Sequence, residues 1–213
     1  MRTFRLWASL ALVLVLALAG AAGWAYWTFE VRWRPTLITR HQQEIAALLQ
    51  SSGWVAPGLA GKKLYMVSFR AAPEGERVMA DDFPGLQKKG VDTRVIVIAR
   101  PDLNGQAQST PAERATVAQL WLGRDWSLLT RWVAVPATAW TAPGLPRADG
   151  DMARTAVVEA GRGLVDRLGP LLKDNGFAFA YPTLVWWNDK GEMRACACTT
   201  RQAQARVLRD LGV

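Results

Sequence analysis

Histidine and cysteine are scarce in this 213-residue chain: there is one histidine, His41, and two cysteines, Cys196 and Cys198. A structural Cys₄ or Cys₂His₂ zinc site needs four such donors, so one chain cannot build it. The HExxH pairing of two histidines around a general-base glutamate is missing too, and neither a metal nor a cofactor is expected. Gly58-Leu59-Ala60-Gly61-Lys62-Lys63 lacks the spacing and the Ser/Thr of a phosphate loop. Gly161-Arg162-Gly163 has no preceding strand and no third glycine, which excludes a dinucleotide fingerprint. Long basic runs are absent as well. Apart from the pairs Lys62-Lys63 and Lys88-Lys89, the 26 Lys+Arg are scattered against 18 Asp+Glu, and no nucleic-acid motif accompanies them. That surplus reads as a solvated surface near a membrane, with no nucleic acid as partner.

Charge is missing altogether from Leu6 to Phe29. As helix this run would be about 36 Å long, against roughly 30 Å of hydrocarbon core. Arg2 and Arg5 precede it, and Trp24, Tyr26, Trp27 and Phe29 crowd its far end, where amphipathic rings favour the membrane interface. Residues 1–30 are therefore expected to be one uncleaved transmembrane anchor, with the body outside the cytoplasm. The alternative is a signal peptide cleaved near Ala17-Leu18-Ala19 or Ala19-Gly20-Ala21. The apolar run continues past those sites, which favours the anchor. Arg32 and Arg34 follow the span and weaken the orientation bias.

Residues 31–61 read as a stalk carrying a short amphipathic helix with Ile45, Leu48 and Leu49 on one face; His41 lies on it with no other histidine near. Leu64-Tyr65-Met66-Val67-Ser68-Phe69 and Arg94-Val95-Ile96-Val97-Ile98-Ala99 are apolar enough to be strands buried on both faces. Between them, Glu76 to Lys89 predicts a helix that Pro84 ends or kinks, so the two strands should be parallel. Thr110-Pro111-Ala112-Glu113 is a capping box that opens a helix running to about Leu122, and Asp125 caps another. Trp121, Trp126 and Trp132 fall here as a candidate aromatic cluster, read as core with a ligand pocket as the alternative. Asp151 to Asp174 is helical in character, with an interruption expected near Gly169-Pro170. Thr183 to Trp187 and Glu192 to Cys198 flank the turn Asn188-Asp189-Lys190-Gly191 as an antiparallel hairpin, and Arg201 to Leu211 makes a closing helix.

This order, with Tyr181-Pro182-Thr183 entering Leu184-Val185-Trp186-Trp187, the Asp189-Lys190-Gly191 turn and the closing helix, resembles the thioredoxin fold. The helical insertion at about 103–160 is similar to that of the bacterial periplasmic disulfide isomerase/oxidoreductase group of DsbC and DsbG, over about residues 62–213. The resemblance implies an α/β thioredoxin-like mixed sheet, a soluble domain in the periplasm on a single-pass inner-membrane anchor, and a cis proline at Pro182. It also implies a surface formed by Tyr181, Pro182 and Thr183 that receives a protein partner or extended polypeptide. The family's Cys-x-x-Cys belongs after the first strand, at a helix start that lowers thiol pKa. This chain reads Phe69-Arg70-Ala71-Ala72-Pro73-Glu74-Gly75-Glu76-Arg77-Val78 there and has no cysteine. Glu74, Gly75 and Glu76 occupy the motif's place as candidate binding residues without redox capability.

Cys196 and Cys198 remain as candidate catalytic residues. Residues two apart on a strand have Cα atoms about 6.5 Å apart, near the upper end for a disulfide, so a bridge requires local distortion. By the resemblance, Cys198 lies near Pro182. Two functional classes therefore stand side by side. One is a membrane-tethered binding or assembly module that has lost its redox motif. The other is a thiol–disulfide oxidoreductase or copper-handling protein using Cys196 and Cys198, soft donors that suit Cu(I). A third expectation is an accessory subunit of a secretion or conjugation apparatus.

Overall fold

A computed structural model describes residues 15–27 and 34–212, and the chain divides into two units, Met1–Arg34 and Pro35–Val213. In the first unit residues 15–26 are helical, with Val15, Leu16, Leu18 and Trp24 exposed. Among the described residues no helix is long and apolar enough to cross a membrane; part of the span expected from Leu6 to Phe29 lies outside the described residues.

The second unit is a five-stranded mixed sheet covered on both faces. Its strands are β1 (Thr36–Leu37), β2 (Lys63–Phe69), β3 (Asp92–Ile98), β4 (Thr183–Trp187) and β5 (Met193–Ala197), in the order β1-β5-β4-β2-β3. β2 and β3 are parallel, whereas β4 pairs antiparallel with both β2 and β5. The parallel pair follows from the helical crossover between them. On one face, Tyr65, Val67, Ile96, Val185 and Ala195 pack against α1 (Gln42–Ser51) and the long α6 (Met152–Lys173), through Ile45, Leu49, Leu164, Leu168 and Leu172. The opposite face is covered by the crossover and by α7 (Arg201–Asp210), whose Val207 is buried.

The crossover is broken where proline demands it. α2 (Pro73–Arg77) passes into one π-helical turn, Val78–Asp82, before α3 (Phe83–Lys88), which has Pro84 in its first turn, where the missing amide costs little. α4 (Pro111–Gly123) starts on the expected capping box, with the Glu113 amide donating to Thr110 Oγ1 at 3.0 Å. α5 (Trp126–Val133) starts on Asp125, whose carboxylate accepts from the amides of Ser127 and Leu128.

Two expectations are corrected. Residues 36–55 are no stalk: β1 joins the sheet beside β5, α1 sinks Ile45, Leu48 and Leu49 into the core, and Val55 exchanges backbone hydrogen bonds with Val95. The interruption expected at Gly169-Pro170 is absent as well, since α6 runs through Pro170 to Lys173. Pro170 leaves the Asp166 carbonyl without its amide donor, but with only three residues left in the helix the disturbance is confined to its last turns. Trp121 and Trp132 have separate surroundings. Trp121 lies against Gly53 and Gly161 and donates its indole N–H to the Val97 carbonyl at 2.8 Å, whereas Trp132 is buried beside Arg70.

Candidate functional site

The C-terminal end of β2, the loop entering β4 and the end of β5 meet at one end of the sheet. The Tyr181–Pro182 bond is cis, as expected. The Tyr181 ring stands edge-on to Phe69 with centroids 5.1 Å apart, and edge-on to Phe179 at 5.2 Å. The Arg100 guanidinium caps the Phe69 ring at 4.2 Å. Phe69, Phe179 and Tyr181 are each half-buried, so the cluster presents ring area at the surface. Burial of the phenol, with the Asp166 charge adding to it and Arg100 opposing, pushes the Tyr181 pKa up to about 12, so the hydroxyl is neutral and a hydrogen-bond donor at physiological pH. Thr183 is fully buried and donates to the Ala180 carbonyl at 2.6 Å, so its hydroxyl ties down the loop and faces inward.

Cys198 does lie beside Pro182, its amide donating to the Pro182 carbonyl at 3.1 Å. The two cysteines form a disulfide, their Cα atoms 5.2 Å apart, closer than the spacing of a regular strand. That shortening is possible because β5 ends at Ala197 and Cys198 is already outside it. Cys196 is 6% exposed and Cys198 is 0% exposed. In this oxidised form neither sulfur is a thiolate, so neither can attack a disulfide or bind a soft metal. We expect that the native chain takes up no iodoacetamide without reductant and that both cysteines are alkylated after reduction in denaturant, read by intact mass. Labelling of the native, unreduced chain would show free thiols and reopen the redox reading.

Glu74 and Glu76 are both engaged. Glu74 holds Arg77 through two hydrogen bonds of 3.0 and 2.6 Å, and Glu76 is ion-paired with the buried Arg70. Gly75 is buried where α2 crosses β2 so closely that a Cβ would collide with Ser68 Oγ. Neither carboxylate is therefore presented as a free binding group.

Several residues here carry no role in the sequence reading. Arg70 is 4% exposed and donates to the carbonyls of Trp132 at 3.3 Å and Val135 at 2.5 Å, fastening the insertion to the end of β2. A charged residue directly after a continuous apolar strand is the one trace of it in the sequence. Gln204, buried at 4%, donates to the Cys198 carbonyl at 3.1 Å and accepts from Arg77 at 2.5 Å. The signal there is a glutamine on the same face as Ala203 and Val207.

The strand order and directions of β3, β2, β4 and β5, with helices on both faces and the loop entering β4 against the end of β2, are those of the thioredoxin-like fold. Similar to this chain are BcfH of Salmonella enterica Typhimurium, 18% identical over 96% of this chain and 91% of that one with a TM-score of 0.51, and a periplasmic thioredoxin-like protein from Salmonella enterica serovar Typhimurium, 14% identical over 82% and 100% with a TM-score of 0.46. No family model and no curated protein matches the chain.

Proposed function

We propose that this chain is a membrane-tethered polypeptide-binding protein of the cell envelope, a thioredoxin-like domain of the DsbC/DsbG type working without the redox motif. The observation that carries the reading is the segment Arg70-Ala71-Ala72-Pro73 after β2: it holds no thiol, and the chain's two cysteine sulfurs are bonded to one another and buried. What stays on the surface at this end of the sheet is the half-buried aromatic set Phe69, Phe179 and Tyr181, with a neutral phenol donor and the Arg100 guanidinium. Such a surface suits an extended segment, supplying apolar contact to side chains and hydrogen bonds to backbone. A disulfide is at home in an oxidising compartment, which favours the periplasm. Tethering is supported by the uncharged run from Leu6 to Phe29 and by the exposed apolar side chains of residues 15–27.

The test uses the full chain extracted in detergent from its membrane fraction. Tyr181→Ala should lower recovery of a co-purifying polypeptide at least fivefold while the circular dichroism spectrum is unchanged. Equal recovery with a folded variant would overturn the reading.

A further inference from the structure

Between the end of α6 and the segment leading to β4 lies an open groove of about 650 Å³, with Gly169, Pro170, Lys173, Gly176, Ala178 and Phe179 among its walls. That is within the range of small-ligand sites, roughly 300–1,000 Å³. Asp166, Gly169, Pro170 and Lys173 fall three and four apart on α6 and share one face, while Leu168 and Leu172 are buried in the core. The groove opens because no long side chain stands between the two charges of that face. A Cβ at Gly169 would meet nothing within 4 Å.

The chain turns at Gly176, whose φ is 75°, and returns along the groove, so that Tyr181 comes within reach of the Asp166 charge. Phe179 and Tyr181, two residues apart, have ring centroids 5.2 Å apart, the same-side arrangement of extended chain. Residues 177–180 nevertheless belong to no strand. Among the described residues, the main-chain N–H and C=O groups of Ala178 and Phe179 and the Ala180 N–H have no hydrogen-bond partner. Buried main-chain groups are almost always paired, and Ala178 is exposed with Phe179 and Ala180 half-buried, so these groups meet water in the free protein. Donors and acceptors at main-chain spacing are matched by a second extended main chain, the pairing used in strand addition. The charges of α6 then bear on its sequence. Asp166 and Lys173 are both exposed, and among the described residues neither is in an ion pair. Their seven-residue separation on a helix is about 10 Å, and four residues of extended chain cover about 13 Å, within the reach of two flexible side chains.

We propose that this groove takes an extended polypeptide segment in which an apolar residue has an acid two positions to one side and a base two positions to the other. All three side chains then point to one face. The main chain pairs with Ala178 and Phe179, the apolar side chain lies against Pro170 and Phe179, and the flanking charges meet Lys173 and Asp166. The proposal rests on the polypeptide-binding reading above and names the class of sequence that the surface selects beyond Tyr181.

The experiment follows the backbone amide resonances of Ala178 and Phe179 in ¹⁵N-labelled full chain in detergent. The probes are acetyl-Glu-Thr-Phe-Thr-Lys-amide and acetyl-Lys-Thr-Phe-Thr-Glu-amide, which are equal in composition and net charge. One of the two should shift both resonances saturably and bind about fivefold tighter than the other, because two exposed ion pairs form in one order and are replaced by like-charge contacts in the other. The double variant Asp166→Lys with Lys173→Glu should invert that preference, which a merely structural role of either residue would not do. Gly169→Phe fills the groove from a position with open space around it and should abolish the shifts with the circular dichroism spectrum unchanged. Absence of saturable shifts, equal binding of the two peptides, a preference kept in the charge-swapped variant, or shifts that persist in Gly169→Phe would each overturn the proposal. Failure here with Tyr181-dependent partner recovery intact removes only this groove; order-selective peptide binding with recovery independent of Tyr181 removes only the earlier reading.

Discussion

Trp132→Ala should lower the stability of the domain by about 3–5 kcal/mol, the usual cost of truncating a buried Trp to Ala. The ring is 1% exposed and is among the largest fully buried side chains. It also lies beneath the Arg70 guanidinium, 5.9 Å from the ring centroid. Truncation thus removes apolar burial, a cation–π contact and the surface on which the insertion meets the end of β2. Equilibrium denaturation with guanidinium chloride is the measurement: the midpoint should fall with the slope unchanged, since loss of a packed ring changes stability and not the surface exposed on unfolding. A loss under about 0.5 kcal/mol, the size of an ordinary surface substitution, would mean that the ring is not packed as described.

Removing the carboxylate opposite Arg70 has the next largest effect. Glu76→Ala leaves a guanidinium whose side chain is 5% exposed without its anionic partner. Breaking a fully buried pair costs about 3–5 kcal/mol. The cost here should be nearer about 2–3 kcal/mol, because charge-assisted hydrogen bonds persist. Those bonds run to the carbonyls of Trp132, Val133 and Val135, and the Glu76 side chain is itself 43% exposed. Glu76→Gln keeps the shape and an acceptor and should retain part of the lost stability. Thermal and denaturant midpoints check both variants. An unchanged midpoint in Glu76→Ala would show that the carbonyls alone carry the charge.

Features written in local chemistry are legible in the sequence. The parallel pair β2–β3 follows from two continuous apolar runs joined by a helical crossover, and the start of α4 from Thr110, Pro111 and Glu113 at their fixed spacing. The hairpin between β4 and β5 follows from Asn188 and Gly191, whose φ of 73° favours glycine. What escapes is structure made by distant partners. β1 is two residues long, and its pairing with Ala195 and Arg194 depends on a strand some 160 positions on, so no local pattern marks it. The capping box states how Glu113 begins a helix but not that the carboxylate lies within electrostatic reach of Arg70 and Arg100, because that depends on where the fold brings the ends of β2 and β3. For Cys196 and Cys198 the regular strand spacing argues for separate thiols. The bridge forms because the strand stops one residue earlier than the pattern suggests, and strand ends are the least legible feature of a sheet.

The tight crossing at Gly75 also limits how a redox motif could be introduced by protein engineering. Of the Cys-x-x-Cys registers available after β2, one that places a cysteine at 75 would drive its Cβ into Ser68 Oγ, so that one of the two must shift. The register using 71 and 74 avoids that clash, since Ala71 is exposed and Glu74 half-exposed, but it gives up the carboxylate that holds Arg77 and, through Arg77, Gln204. Gly75 and the Arg77–Gln204 brace thus each tie the segment after β2 to side chains other than cysteine.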